Sequence, residues 1–203
     1  MRLYYHPFSS CARRVRMAAH QLNIALELVP IDLASESARR QLREVNPNEK
    51  VPVLEDNGFL LWESCSIMQY LADKTSGQSL YPTELKARAD VNRWLFCSVS
   101  HFSPAISVLT WENVIKAMIG AGEPDPVEIK RGETDFAENA PVLNAHLAEN
   151  EWISGNRLTL ADFAIAAPLM SMEAAKLPIQ DYTHILAWFK RIQTLEAWQK
   201  TAP

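Results

Sequence analysis

The sequence predicts a small α/β domain followed by an all-α domain. Three observations predict it. Over residues 1–76, strand-like and helix-like stretches alternate. Residues 77–83, from Gly77 to Thr83, are rich in turn residues and read as a linker. From residue 84 to 203 the pattern stays helical and no convincing strand recurs. A chain of 203 residues suits one large domain or two small ones, with enough material for a substantial core.

Each element follows from its residues. Arg2 to His6 is a short strand, with Leu3, Tyr4 and Tyr5 suiting a pleated surface. Ser10 to Leu22 is a helix with Ala12, Val15, Ala19 and Leu22 on one face and arginines on the others. Ala25 to Ile31 is a second strand, and Glu36 to Val45 a second helix capped by Ser35. Val53 to Glu55 and Leu60 to Trp62 flank Asp56-Asn57-Gly58, which is hairpin chemistry. Ser64 to Thr75 is a third helix. This order is thioredoxin-like in topology. Beyond the linker, Glu84 to about Trp111 reads as one long helix. Another runs to about His146, and Thr159 to about Lys176 is apolar nearly all round, as for a central helix. Two last helices carry Trp188 and Trp198.

Composition narrows the function classes. The net charge is −4 and no basic stripe occurs, which argues against nucleic acid and anionic membrane as partners. The apolar stretches are too short to span a bilayer, and Met1 to Pro7 is not a signal peptide. The three cysteines, Cys11, Cys65 and Cys97, form neither a disulfide framework nor a zinc pattern. A reducing, cytoplasmic compartment is expected, and no metal.

Four short features carry chemistry. Ser9-Ser10-Cys11 lies where the first helix begins. Unpaired N–H groups there suit an anion such as a thiolate, and a hydroxyl can donate to it; simple capping is the alternative. At Lys50-Val51-Pro52, a cis X-Pro bond would turn the Val51 backbone toward a peptide lying alongside. An ordinary strand-initiating proline is the alternative. Glu63-Ser64 opens the third helix: Glu63 suits an ammonium and Ser64 a carboxylate, matching an amino-acid head group; Ser64 as a plain cap is the alternative. Thr159-Leu160-Ala161-Asp162 is a capping box, and Asp162 is expected to be structural.

These features, in this order, resemble the glutathione transferase superfamily over essentially the whole chain. The stretch from Tyr5 through Ser9-Ser10-Cys11 to Arg16 is similar to the serine-dependent classes, the zeta class and related bacterial enzymes above all. Asn46-Pro47 through Val51-Pro52-Val53-Leu54 and Glu63-Ser64-Cys65-Ser66-Ile67 resemble two further family segments. The resemblance implies a glutathione transferase fold, glutathione as co-substrate, a small hydrophobic electrophile as second substrate, and a homodimer. It implies that Ser9 donates to the glutathione sulfur, with Ser10 and Tyr5 as alternatives. Val51 would pair with the cysteinyl backbone, Glu63 and Ser64 would hold the γ-glutamyl end, and Lys50 would lie near the glycine carboxylate. Ser37 stands where relatives place a His or Gln for that carboxylate, so Arg39, Arg40 or Lys50 would take over. His101, Phe102 and Trp111 are candidates for the electrophile pocket, with core packing the stronger expectation for Trp111. Two other readings stay open: a maleylacetoacetate-type isomerase and a non-catalytic binding module. A reductase working through Cys11 is disfavoured, because a hydroxyl stands where its nucleophile would fall.

Overall fold

The structure is a computed structural model that describes every residue from Met1 to Pro203. Residue contacts divide it into two units, Met1–Tyr81 with Leu195–Pro203, and Pro82–Thr194. The tail 195–203 therefore packs with the first unit, whereas helical periodicity alone groups it with residues 84–194.

In the first unit the elements are β1 (Arg2–Tyr5), α1 (Ser10–Gln21), β2 (Glu27–Pro30), α2 (Glu36–Val45), β3 (Val53–Asp56), β4 (Phe59–Trp62) and α3 (Ser64–Lys74). The sheet order is β2-β1-β3-β4, with β1 and β2 parallel and the other pairs antiparallel. This is the thioredoxin-like arrangement that the element order predicts. β2 is shorter than Ala25 to Ile31 because its ladder ends with β1, from Arg2↔Glu27 to Tyr5↔Pro30. The hairpin between β3 and β4 turns on Asn57 (φ 52) and Gly58 (φ 85). Two successive left-handed residues give the twist a two-residue hairpin needs.

Leu3, Val15, Leu54, Ile67 and Leu71 are fully buried in this unit. A separate cluster of Ile31, Leu42 and Val53 includes the inward side of α2, with Tyr4, Val29 and Val51 against it. The arginines of α1 depart from the expectation of a solvent face, since Arg13 and Arg14 are both buried. The reason is that α1 has packing partners on two sides. α3 lies on one, where Arg14 Nη1 donates to Cys65 Sγ at 3.6 Å. On the other lies α10 (Glu196–Gln199), where the Arg13 guanidinium stacks 3.6 Å from the Trp198 ring and donates to the Trp198 carbonyl at 3.0 Å. Burial pushes the Arg13 guanidinium down to about 10.

α3 is tied to the hairpin by Asp56. Its carboxylate accepts from Tyr70 Oη at 2.7 Å and pairs with Lys74 Nζ. Lys74 first, then Tyr70, holds the Asp56 carboxyl below its ordinary value.

The second unit holds α4 (Leu85–Cys97), α5 (Ser103–Thr110), α6 (Lys116–Ile119), α7 (Pro126–Glu149), α8 (Leu160–Ala166) and α9 (Thr183–Gln193). The single helix expected from Glu84 to about Trp111 is two helices, α4 and α5, joined by a π-helical turn at Ser98–Phe102, and a second such turn at Trp111–Ile115 leads on to α6. Pro104 follows the first of these turns. A proline has no N–H for the residue four earlier and its ring crowds that carbonyl, so widening the turn relieves both. The path ends at Gly120, in the left-handed region at φ 67. α7 approaches α5 closely at Gly132, where a Cβ would meet Leu109 Cγ at 2.9 Å. No helix is long and apolar enough to cross a membrane.

The central helix is shorter than Thr159 to Lys176. α8 stops at Ala166 and continues as a 3₁₀ turn over Ala167–Ser171. Pro168 is the cause, because it cannot donate to the Ala164 carbonyl one turn earlier. That carbonyl instead accepts from Ser98 Oγ at 2.9 Å. Every residue of α8 is buried, as a helix apolar all round requires.

Asp162 is the polar centre of this unit. Its Oδ2 accepts from the Thr159 N–H at 2.8 Å and the Thr159 hydroxyl at 3.1 Å. Its Oδ1 accepts from the Ile153 N–H and from Trp188 Nε1, both at 3.0 Å. One carboxylate thus joins the start of α8, the loop before it and α9. Burial pushes its pKa up, and the hydrogen bonds oppose that shift.

Two outcomes test this account. Asp162→Ala strands buried donors, each costing about 1–3 kcal/mol. Urea unfolding followed by tryptophan fluorescence should show a loss of about 4 kcal/mol or more, with a smaller loss for Asp162→Asn. The depressed Asp56 pKa stabilises the fold above the unfolded value of about 3.9, and that stability is lost as pH falls through the folded value. Asp56→Asn should therefore lower the melting temperature near pH 7 and flatten its decline below about pH 4.

Candidate functional site

The strand register gathers the three segments singled out in the first unit. Tyr4 pairs with Val53, and Val53 pairs with Trp62. β1 runs antiparallel to β3, and β3 to β4. The end of β1, the start of β3 and the end of β4 therefore share one end of the sheet. Ser9 follows β1, Val51 precedes β3, and Glu63 follows β4. Segments far apart in sequence meet at that edge, where α1 and α3 both begin.

Ser9 is the N-cap of α1, and its Oγ accepts from the Ala12 N–H at 3.2 Å. Its backbone N–H is held by the His6 carbonyl at 3.0 Å, which sets the turn between strand and helix. A hydroxyl has one proton and two lone pairs. Capping uses a lone pair and leaves the proton for an acceptor beyond the helix end. Ser10 is the first helical residue, and no acid lies in the first turn of α1. The helix end therefore keeps its positive character. Phe8, just before Ser9, is 62 % exposed and lies 5.9 Å from the His6 ring. Tyr5, the alternative hydroxyl, ends β1 with the Arg16 guanidinium 5.2 Å from its ring.

The Val51–Pro52 bond is cis. Val51 lies outside the β1–β3 ladder, whose pairs end at Val53, while its side chain packs against the Ile31, Leu42 and Val53 cluster. The loop before it is organised by Asn46, a buried amide whose role sequence reasoning missed. Asn46 Nδ2 donates to the Lys50 carbonyl at 2.7 Å, and its Oδ1 accepts from the Asn48 N–H at 3.0 Å. The signal was in the sequence: Asn-Pro-Asn is turn chemistry, and an amide that both donates and accepts can close a loop on itself. The Lys50 side chain is left exposed.

Glu63 has φ 71 and ψ 108, a conformation disfavoured for any residue with a Cβ. It caps α3 without a side-chain hydrogen bond, so its carboxylate is not spent on the helix. Ser64, buried, is the first residue of α3. Strain of about 1–3 kcal/mol at such a position accompanies functional sites. Cys65 follows, and burial pushes its thiol up, so it stays protonated.

The remaining candidates fall elsewhere. Ser37 Oγ is 2.9 Å from Ser35 Oγ, while Arg39 and Arg40 lie on α2. Phe102 is core, stacked 5.4 Å from Phe136, and His101 is exposed. Trp111, expected in the core, is 42 % exposed at the start of the second π-helical turn. No three of the His, Cys, Asp and Glu residues converge as metal ligands would.

The Glu63 conformation generates a prediction. Glu63→Gly removes the strain and adds some chain entropy to the unfolded state. It should raise the unfolding free energy by about 1 kcal/mol in urea titration, whereas Glu63→Ala, with its Cβ kept, should not.

Comparison with known proteins identifies the family. Residues 3–79 match the family model of the glutathione S-transferase N-terminal domain, and residues 102–196 that of the C-terminal domain. The chain is 31 % identical to glutathione S-transferase 3 of Zea mays, over 99 % of this chain and 92 % of that protein. Its structure resembles a Nilaparvata lugens delta-class glutathione transferase with a TM-score of 0.85 and 29 % identity, over 99 % of this chain and 92 % of that one. It also resembles a glutathione S-transferase-I bound with lactoylglutathione, with a TM-score of 0.88 and 25 % identity, over 99 % and 97 % of the two chains. Two domain models, a full-length relative and two full-length structural matches leave one assignment: the chain belongs to the glutathione S-transferase family.

Proposed function

We propose that this protein is a serine-type glutathione transferase, joining the thiolate of glutathione to small hydrophobic electrophiles. The observation that carries this reading is the Ser9 hydroxyl. Its oxygen caps α1 by accepting from the Ala12 N–H, which occupies a lone pair and leaves the hydroxyl proton available to an acceptor at the helix end.

In this reading the cysteinyl backbone of glutathione lies along Val51 as an added strand. The γ-glutamyl ammonium meets Glu63, and its carboxylate meets Ser64 and the first N–H groups of α3. Lys50 faces the glycine carboxylate, and Ser10 adds a second hydroxyl at the start of α1. Supporting this are the shared sheet end, the free side of Val51 and the uncommitted Glu63 carboxylate.

A free thiol titrates near about 8.5. Lowering that by about two units takes about 2.7 kcal/mol of selective anion stabilisation. A hydrogen bond to a charged group contributes about 1.5–3 kcal/mol and a helix terminus up to about 1. The thiol proton passes to solvent. The sulfur lone pair then forms a C–S bond as the leaving group departs with its electron pair, and the exposed Phe8 ring offers an apolar surface beside the sulfur.

The assembly is proposed as a cytoplasmic homodimer. β4 is an edge strand whose Phe59, Leu60 and Trp62 are 50 %, 37 % and 40 % exposed. An apolar edge of this kind calls for a cover.

Variants at the helix start test the reading. Ser9→Ala should bind glutathione within about threefold of wild type. It should lose about 10- to 100-fold in kcat for an aryl halide, with the bound thiol titrating higher. Ser10→Ala and Cys11→Ala should retain most of the rate. Full activity in Ser9→Ala overturns the site assignment. A wild-type chain that does not bind glutathione overturns the function.

A further inference from the structure

The first unit carries a concavity toward the C-terminal end of α1. It has a volume of about 160 Å³ and lies between α1, the segment entering β2, and the tail after α10. Its polar side carries two cations, Arg16 and Lys200, with the His20 ring beside them. Its other wall is aliphatic: Ile24, Leu26 and Leu28. Arg16 lies seven residues past Ser9, about 10 Å along the helix, and neither Ser9, Val51, Glu63 nor Ser64 lines this pocket.

The charges here do not balance. His20 faces Glu196 at 3.9 Å. Arg16 has the Tyr5 ring 5.2 Å from its guanidinium and no carboxylate within ion-pairing distance, and Lys200 has none either. In a chain of net charge −4, acids are plentiful elsewhere. Arg16 is also partly buried, and burial pushes its guanidinium down from its ordinary value. A half-buried guanidinium without an anion is a costly arrangement. A bound anion would relieve it.

From this arrangement we infer that the pocket formed by Arg16, Lys200 and the Ile24–Leu26–Leu28 wall binds a small organic monocarboxylate with a ring-sized apolar body. The size follows from the volume, since a cavity of about 150 Å³ takes up benzene. The carboxylate would pair with the Arg16 fork, which suits two parallel N–H···O bonds. The ring would lie on the aliphatic wall. A phosphate lacks the apolar body, and a long acyl chain exceeds the volume.

The test uses the full-length protein, with benzoate as the probe and calorimetry as the readout. Saturable binding with a dissociation constant on the order of 1 mM is expected. Benzamide, the neutral isostere, should bind at least about tenfold more weakly. Arg16→Gln should weaken benzoate at least about tenfold. Leu28→Asp, at a half-exposed edge-strand position, should do the same by repulsion and serves if Arg16→Gln misfolds. Saturating S-methylglutathione should leave benzoate binding unchanged. Displacement by S-methylglutathione would assign the carboxylate to the site near Ser9 and overturn the inference. Unchanged affinity in both variants, equal binding of benzamide, or no saturation would also overturn it. The inference does not rest on the proposed catalysis, so either can fail alone.

Discussion

The pairing of Tyr4 with Val53 and of Val53 with Trp62 is the constraint on which the site depends. Side chains alternate along a strand, so a slip of one residue would turn Leu3 and Leu54 out of the core. Burial of these residues therefore holds the register. The register in turn decides which ends of β1, β3 and β4 coincide. Ser9, Val51 and Glu63 lie at one sheet end because β1 and β3 bury Leu3, Val53 and Leu54 in one register and the Asn57-Gly58 hairpin sets β4 against β3. The geometry of this sheet end is thus a by-product of core packing, and the loops need only the right lengths to use it.

Within that frame, local devices aim each group. The Ser9 oxygen is fixed by the helix it caps, and capping leaves the hydroxyl proton uncommitted. Asn46 closes its loop on the Lys50 carbonyl, while the Val51 side chain is anchored in an apolar cluster. Glu63 holds a strained backbone at the head of α3, and Asp56 pins that helix to the hairpin through Tyr70 and Lys74. Each device restrains a group from its own side of the sheet end.

Much of this was legible in the residues. The alternation of Leu3, Val53 and Leu54 with helical segments, and the Asn57-Gly58 turn, disclose the α/β unit because periodicity and turn chemistry are local. The Thr159–Asp162 box discloses the start of α8 for the same reason. What was illegible depends on partners remote in sequence. Arg13 and Arg14 look solvated until α10 and Cys65 are seen against them. α8 looks long until Pro168, which has no N–H, leaves the Ala164 carbonyl to the Ser98 hydroxyl. Trp111 looks like core material because a π-helical turn leaves no mark in composition. Asn46 was visible, but its partners are backbone atoms, which a residue pattern does not display.

The Arg13–Trp198 stack spans 185 positions of the chain. During synthesis α1 emerges early with its guanidinium bare, and its covering ring arrives only after the whole of Pro82–Thr194 has been made. The first unit therefore cannot reach its final packing in the order of its own translation. It waits, partly open on one flank of α1, for a segment delivered after the neighbouring unit. Quality control acting on nascent chains would meet this half-covered helix for most of the time the protein is being built.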